Sequence, residues 1–211
     1  GQLNTAIGYN ALTAQNADAY NTAVGANSME ATTSGAYNVA VGRLALTALT
    51  TGGKNVAVGY NALSTEDGNG NNVAIGYEAL KAQNAGAEAH NVAIGYRAGL
   101  SVSTGINNTI LGALAGDALT TGGYNVAVGH GALSTEDANS ANTAIGAGAL
   151  NTLNAGADAN NTAVGYNAGA AMTTGIRNTI MGGQVGDSLT TGSYNTAIGY
   201  AALTAEDGHG G

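Results

Sequence analysis

The sequence lacks cysteine, proline, tryptophan and phenylalanine, and its charged residues make up only 9% of 211 positions. Without cysteine the chain can form neither disulfide bonds nor thiolate metal sites. Without proline it cannot form collagen or polyproline helices. No hydrophobic run approaches the roughly 20 residues of a membrane-spanning helix, so we expect no membrane insertion by this segment.

Small residues dominate what is present. Glycine and alanine together occupy 78 of the 211 positions, so any core must be thin and filled by small aliphatic side chains. The net charge of −8 is spread along the chain, which argues against nucleic acid and anionic lipid as partners.

An internal repeat decides the fold class. The pentad Asn-(Thr/Val)-Ala-(Ile/Val)-Gly recurs twelve times, every 17 residues except for two units of 19. Its asparagines are Asn4, Asn21, Asn38, Asn55, Asn72, Asn91, Asn108, Asn125, Asn142, Asn161, Asn178 and Asn195. The array predicts a single domain over residues 1–211. A second period of 70 residues relates 55–124 to 125–194, with an incomplete set at 1–54 and a terminal unit at 195–211.

Each unit is expected to contribute a short strand, a bend and a return loop. Seventeen residues are too few for a strand and a helix, so the sequence predicts an all-β fold, a parallel β-solenoid or β-roll of twelve rungs. Alternation puts Thr/Val and Ile/Val on one strand face and Ala on the other, and we expect the aliphatic face to lie inside. The recurrent leucine after the pentad, as in Leu63, would close the core. Where glycine replaces it, the substitutes expected are Leu100, Leu119, Met172 and Leu189.

Three repeated columns have structural interpretations. The pentad glycines, such as Gly76 and Gly146, would allow bends or close backbone approach. The pentad asparagines, such as Asn72 and Asn142, could hydrogen-bond from rung to rung. An outward alanine column would let neighbouring chains approach, and Ile110 and Ile180, which interrupt it, would either plug a trimer axis or fill a wider rung.

Two segments carry a family resemblance. Residues 71–76, Asn-Asn-Val-Ala-Ile-Gly, and residues 90–95 resemble the Asn-Ser-Val-Ala-Ile-Gly motif of YadA-like head repeats in trimeric autotransporter adhesins. Residues 161–168, Asn-Thr-Ala-Val-Gly-Tyr-Asn-Ala, look even more like repeats of phage tail-fibre-like proteins. The resemblance implies an extracellular homotrimer, on a cell surface or virion tail, that binds a matrix protein or a cell-surface glycan.

No arrangement typical of an enzyme is visible, and we expect none. The three histidines lack metal-ligand spacing, and the glycine-rich segments lack the context of phosphate-binding loops. The one candidate for a cofactor is Ca²⁺, for which two acidic pairs could supply oxygen ligands. These pairs are Glu66 with Asp67 and Glu136 with Asp137. A solvated acidic loop is the alternative interpretation.

All ten tyrosines flank the pentad. Stacked tyrosines can stabilise a sheet, or they can form a platform for sugar rings. The candidate ligand-binding residues on this basis are Tyr60, Tyr77, Tyr96, Tyr166 and Arg97.

Three functions fit the sequence. The first is a non-enzymatic attachment rod, the head or shaft of a surface adhesin or tail fibre. The second is a structural spacer or filament subunit without a ligand. The third is an ice-binding solenoid, which the irregular alternation of Thr and Val at the first strand position disfavours.

Overall fold

A computed structural model describes residues 3–16, 19–135, 138, 140–156 and 158–204. The fold is all-β: twelve three-residue strands form one parallel sheet, ordered β1 to β12 as in the sequence. The strands are Thr5–Ile7, Thr22–Val24, Val39–Val41, Val56–Val58, Val73–Ile75, Val92–Ile94, Thr109–Leu111, Val126–Val128, Thr143–Ile145, Thr162–Val164, Thr179–Met181 and Thr196–Ile198. The predicted parallel β-solenoid is confirmed, and each unit is here called a rung, numbered by its strand.

The strands pair in strict register, so equivalent residues of successive rungs form columns. Thr5 pairs with Thr22, Ala6 with Ala23 and Ile7 with Val24, and the same pattern continues to β12. The two longer rungs keep this register, because their two extra residues lie in the return loop before β6 and β10. Among the described residues no helix is long and apolar enough to cross a bilayer.

The expectation that the Thr/Val and Ile/Val columns face the core is wrong. The central alanine of each strand is buried from β2 to β12 wherever alanine is present, whereas the residues on either side of it are partly or fully exposed. Leucines such as Leu63 and Leu80, from the segment after each pentad, are buried in the same core cluster as these alanines. A methyl group is therefore the side chain that fits on the strand side, and the branched residues point outward.

Ile110 and Ile180 consequently lie in the core and fill a wider part of it. Both are buried, and each faces glycines that replace the leucine of other rungs. A Cβ on Gly99 would lie 3.0 Å from Ile110 Cδ1, and a Cβ on Gly116 would lie 3.3 Å from it. A large residue on the strand and a small one opposite thus preserve the packed volume.

The leucine substitutes were predicted correctly with one exception. Leu119, Met172 and Leu189 are buried, as expected. Leu100 is only partly buried, and Val102, two residues further along, is the buried side chain in that rung.

The pentad asparagines form a buried hydrogen-bonded ladder. In rung 7, the Asn108 backbone N–H donates to Asn91 Oδ1 at 2.8 Å, and Asn108 Oδ1 accepts from the Asn125 N–H at 3.0 Å. The Asn108 side-chain amide also donates to the Gly122 carbonyl of the return loop at 2.9 Å. Each asparagine of this kind therefore joins its own rung to the next one and to a loop.

Asn72 and Asn142 differ from the other ladder residues because they begin the two 19-residue rungs. Asn72 Oδ1 accepts from the Asn91 N–H and Asn142 Oδ1 from the Asn161 N–H, as elsewhere in the ladder. Their side-chain N–H groups are buried and have no hydrogen-bond partner. The two longer loops thus each remove the hydrogen bond between the ladder side chain and the return loop, while the rung-to-rung bond remains.

The pentad glycines are required by close backbone approach. Gly76 has φ 141° and Gly146 has φ 131°. A Cβ on Gly76 would overlap the Gly95 carbonyl, and one on Gly146 would overlap the Gly165 carbonyl. Side chains at these positions would push adjacent rungs apart.

The ladder generates a stability prediction. We expect Asn108→Ala to destabilise the protein by about 1 kcal/mol more than Asn72→Ala, because only Asn108 loses a loop hydrogen bond as well as the rung-to-rung bond. Guanidinium unfolding of the two variants measures the difference. Equal losses would show that the loop hydrogen bond contributes nothing.

The core generates a second prediction. We expect Ile110→Ala to cost about 2–5 kcal/mol, because no opposing leucine fills the space that it leaves. The control, Leu100→Ala, should cost about 1 kcal/mol or less since that side chain is partly exposed. The double variant Ile110→Ala with Gly116→Leu recreates the Ala40 and Leu46 pair of rung 3 and should recover part of the loss. A single variant as stable as the wild type would contradict this account.

Candidate functional site

The structure brings together four of the five predicted ligand-binding residues. Tyr60, Tyr77 and Tyr96 each come directly after the glycine that follows β4, β5 or β6, so the register of the sheet places them in one column. The ring centroids of Tyr60 and Tyr77 lie 5.3 Å apart, and those of Tyr77 and Tyr96 lie 5.5 Å apart, with interplanar angles of 20° and 17°. We call these three stacked residues the tyrosine ladder.

An arginine lies at each end of the tyrosine ladder. The Arg43 guanidinium carbon is 5.6 Å from the Tyr60 ring centroid, and Arg43 Nη1 donates to the Tyr60 hydroxyl at 3.4 Å. The Arg97 guanidinium carbon is 5.2 Å from the Tyr96 ring centroid. Cation–π contacts of this kind hold long side chains against aromatic rings.

A buried carboxylate orients the cations beside the ladder. Glu78 accepts from Lys81 Nζ at 2.8 Å and from Arg97 Nε at 3.0 Å, and the hydrogen bond from Lys81 is the main reason why its pKa is lowered. The Glu78 carboxylate offsets part of the positive charge of Lys81 and Arg97. The surface therefore presents aromatic rings and guanidinium donors with little net positive charge. Glu78 and Lys81 were missed in the sequence, although their charges in an otherwise weakly charged array were a usable signal.

The ladder is accessible to a ligand. Tyr77 is 43% and Tyr96 is 47% exposed, so part of each residue is open to solvent. Aromatic faces pack against the apolar faces of sugar rings, and the neighbouring guanidinium and hydroxyl groups can donate hydrogen bonds. The arrangement offers binding chemistry, and nothing in it resembles a nucleophile paired with a base.

Tyr166 is not part of the tyrosine ladder. It is the 70-residue equivalent of Tyr96 and follows β10, four rungs away, where it is 61% exposed. Other tyrosines form a separate column before the pentad asparagine, in which Tyr20 and Tyr37 stack with centroids 5.3 Å apart.

The acidic pair of rung 4 does not place two carboxylates side by side toward solvent. Glu66 is buried and accepts from the Asn69 backbone N–H at 2.8 Å, while its second oxygen has no hydrogen-bond partner. Asp67 is exposed. The other pair, Glu136 and Asp137, lies outside the described residues. Within the described ranges, no group of three or more His, Asp or Glu residues could hold a metal ion, so the Ca²⁺ suggestion rests on the sequence alone.

Comparisons with known proteins leave the chain without an assigned family. No protein-family model matches it, and neither the curated proteins nor the solved structures contain a significant match.

Glu66 generates a pH-dependent prediction. Burial is the main cause that raises its pKa above the ordinary value of 4.5. The folded protein therefore holds the Glu66 proton more tightly than the unfolded chain does, and stability falls as pH rises from 4.5 through the raised pKa. We expect Glu66→Gln to remove this fall and to stabilise the protein at pH 7, measured by guanidinium unfolding in chelator.

The exposed neighbour supplies the matched control, since Asp67→Asn should leave stability unchanged. Repeating the measurement with added Ca²⁺ tests the metal interpretation. A Ca²⁺-dependent stabilisation that Glu66→Gln abolishes would contradict the assignment of Glu66 as an unliganded buried carboxyl group.

Proposed function

We propose that this chain is a non-enzymatic, rod-like attachment element, the head or shaft of an extracellular adhesin or tail-fibre-like protein. In this proposal three copies associate side by side, and the assembled rod binds a cell-surface glycan or a matrix protein. Its setting would be a cell surface or a virion tail. The observation that carries the proposal is the apolar outer face of the sheet.

The outer sheet face consists of the first and third residues of every strand. Its third column is apolar along all twelve strands, and its first column consists of threonine at seven strands and valine at five. Several are well exposed, including Leu111 at 45% and Met181 at 44%. Extended exposed apolar surfaces mark interaction sites in soluble proteins, so this face supports side-by-side association. The interface expected from the sequence was the alanine column, but that column is buried and cannot contact another chain. The outer sheet face is therefore the interface proposed instead.

The number of copies rests on the resemblance to YadA-like repeats, whose heads are trimers. The apolar face is repetitive, since the same columns run in register from β1 to β12. A closed ring of identical chains would cover this face in every copy. Such burial removes the aggregation hazard that an uncovered apolar sheet presents.

The tyrosine ladder favours attachment over a simple spacer. A spacer needs only the core and the interface, whereas Tyr60, Tyr77 and Tyr96 form an exposed aromatic surface with arginines at both ends. This surface follows the turn after each strand and therefore lies beside the outer sheet face. A rod associated through the sheet could leave the ladder open to a ligand.

Ice binding is a second candidate because the first strand position points outward. Threonine occupies this position in four consecutive rungs, at Thr143, Thr162, Thr179 and Thr196. Regular outward threonines on a flat sheet could order water. A thermal-hysteresis assay tests this directly, and the absence of activity would remove the candidate.

The proposal predicts the mass in solution. Light scattering after size exclusion should give about three times the 20.4 kDa chain mass. We expect the double variant Val58→Lys with Val128→Lys to shift the mass to one chain, because charges would be buried in the interface. The control Ala141→Lys changes an exposed residue outside the sheet face and should leave the mass unchanged. A monomeric wild type would contradict the trimer.

The same preparation tests attachment. Glycan and matrix-protein arrays should show a specific ligand, and Tyr77→Ala should weaken its binding about tenfold because it removes the middle ring of the ladder. Tyr124→Ala removes an exposed tyrosine from the other column as the matched control. An associated rod without any ligand would favour the spacer.

A further inference from the structure

A groove of about 460 Å³ crosses rungs 7 to 10 on the same edge of the rod as the tyrosine ladder. This volume falls within the roughly 300–1,000 Å³ typical of small-molecule sites. Its polar and aromatic lining residues are Asp117, His130, Ser134, Asn151, Tyr166 and Asn167. The predicted ligand-binding residue Tyr166 therefore has a different neighbourhood from the other three tyrosines.

The groove exists because the second 70-residue set carries small residues where the first carries large ones. Ala147 occupies the position of Tyr77, and Gly148 that of Glu78. Gly131 likewise occupies the position of Asn61, while Tyr166 retains the tyrosine of Tyr96. One surface of the repeat is thus filled in rungs 4 to 6 and open in rungs 8 to 10.

Two oxygens at the groove need hydrogen-bond donors. Asp117 Oδ1 and Asn151 Oδ1 are buried and have no partner within the described structure, although both residues line the groove. An unsatisfied buried acceptor is destabilising, and retained groups of this kind call for an explanation. Burial also raises the pKa of the Asp117 carboxyl group.

The charge of the groove selects among ligands. None of the described residues that line it is a lysine or an arginine. Arg97, which acts on the Asp117 carboxylate from the neighbouring rung, is paired with Glu78, so an anionic ligand would meet the Asp117 charge without a lysine or arginine in the groove lining. A ligand rich in hydroxyl groups supplies hydrogen-bond donors to the Asp117 and Asn151 side chains, which line the groove, without a charge of its own. The Tyr166 ring at the end of the groove offers an aromatic surface to the apolar face of such a ligand.

We propose that this groove binds one neutral hexopyranose residue, with Asp117 and Asn151 accepting hydrogen bonds from its hydroxyl groups and Tyr166 packing against its ring. This deepens the proposed function and rests on it for the source of the sugar, a residue within a cell-surface glycan. The groove is then a second contact on the rod, distinct from the tyrosine ladder.

The test uses methyl glycosides of glucose, galactose and N-acetylglucosamine, with saturation-transfer NMR on the full chain. At least one should bind saturably. We expect Ala147→Tyr, which restores the side chain found at Tyr77, to weaken binding by at least about tenfold. Ala141→Tyr adds the same side chain to the same rung outside the groove and serves as the control.

A second variant addresses the polar contacts. Asp117→Asn keeps the shape but weakens the acceptor, and it should reduce affinity about tenfold, as expected for a hydrogen bond to a charged group. Thermal unfolding of each variant identifies any that fails to fold. The proposal would be overturned if no methyl glycoside bound, or if Ala147→Tyr bound the sugar as well as the wild type does. It would also be overturned if n-butylamine, a cation that the Asp117 charge alone could attract, bound more strongly than the sugars.

A bead-immobilised polysaccharide of the sugar that binds tests whether the groove accepts a residue within a chain. Retention that Ala147→Tyr abolishes supports the glycan source, and binding of the free glycoside alone overturns that part of the proposal. Sugar binding can fail while the trimer and array ligand persist, which would refute the groove and leave the attachment rod intact. A monomer without an array ligand would refute the attachment function even if the groove binds sugar.

Discussion

The hydrogen bond from each pentad asparagine to the backbone of the next rung is the constraint on which the rest of the fold depends. A three-residue strand is too short to hold its neighbour by itself. The ladder adds a buried side-chain acceptor at the point where each strand begins, as in the bond from Asn125 N–H to Asn108 Oδ1 at 3.0 Å. It fixes the residue directly after a non-glycine residue of positive φ, as after Tyr37 at 61° and Tyr124 at 59°. Backbone strain of that kind persists only where surrounding contacts determine the conformation.

Periodicity was enough to predict the architecture but not the direction of the strand faces. The pentad and its 17-residue spacing indicated parallel rungs in register, and the glycine and asparagine columns have the structural roles that their regularity suggested. Alternation defines two faces without saying which is inside. The deciding physical quantity was the width of the core, which leucine fills from one side. The sequence did contain a clue to the inner face. Where isoleucine replaces the strand alanine, at Ile110 and Ile180, glycine replaces the leucine six residues later, at Gly116 and Gly186. Such an exchange of a large and a small side chain is expected only where both pack in the interior.

The candidate binding surface was predictable in part. Column register made the stacking of Tyr60, Tyr77 and Tyr96 foreseeable, since residues at one position of successive rungs must be neighbours. The groove was not foreseen, because it arises from side chains that are absent rather than present. Laying the two 70-residue sets on each other shows the replacement of Tyr77 by Ala147. Recognising its consequence required knowing that Asp117 and Asn151 lie beside the gap with unpartnered oxygens.

The two longer rungs make the number of hydrogen bonds between successive steps unequal along the solenoid. Most of the array is held at each step by a paired side-chain amide, whereas Asn72 and Asn142 each leave theirs unpaired. These weaker steps recur 70 residues apart, after rungs 5 and 9, so they lie four rungs from each other. Under a pulling or shearing load, the rod would yield first at these joints, and the stacked tyrosines between Tyr60 and Tyr96 bridge the first of them. A solenoid built this way would open first at two defined points, while the rungs on either side keep the complete asparagine ladder.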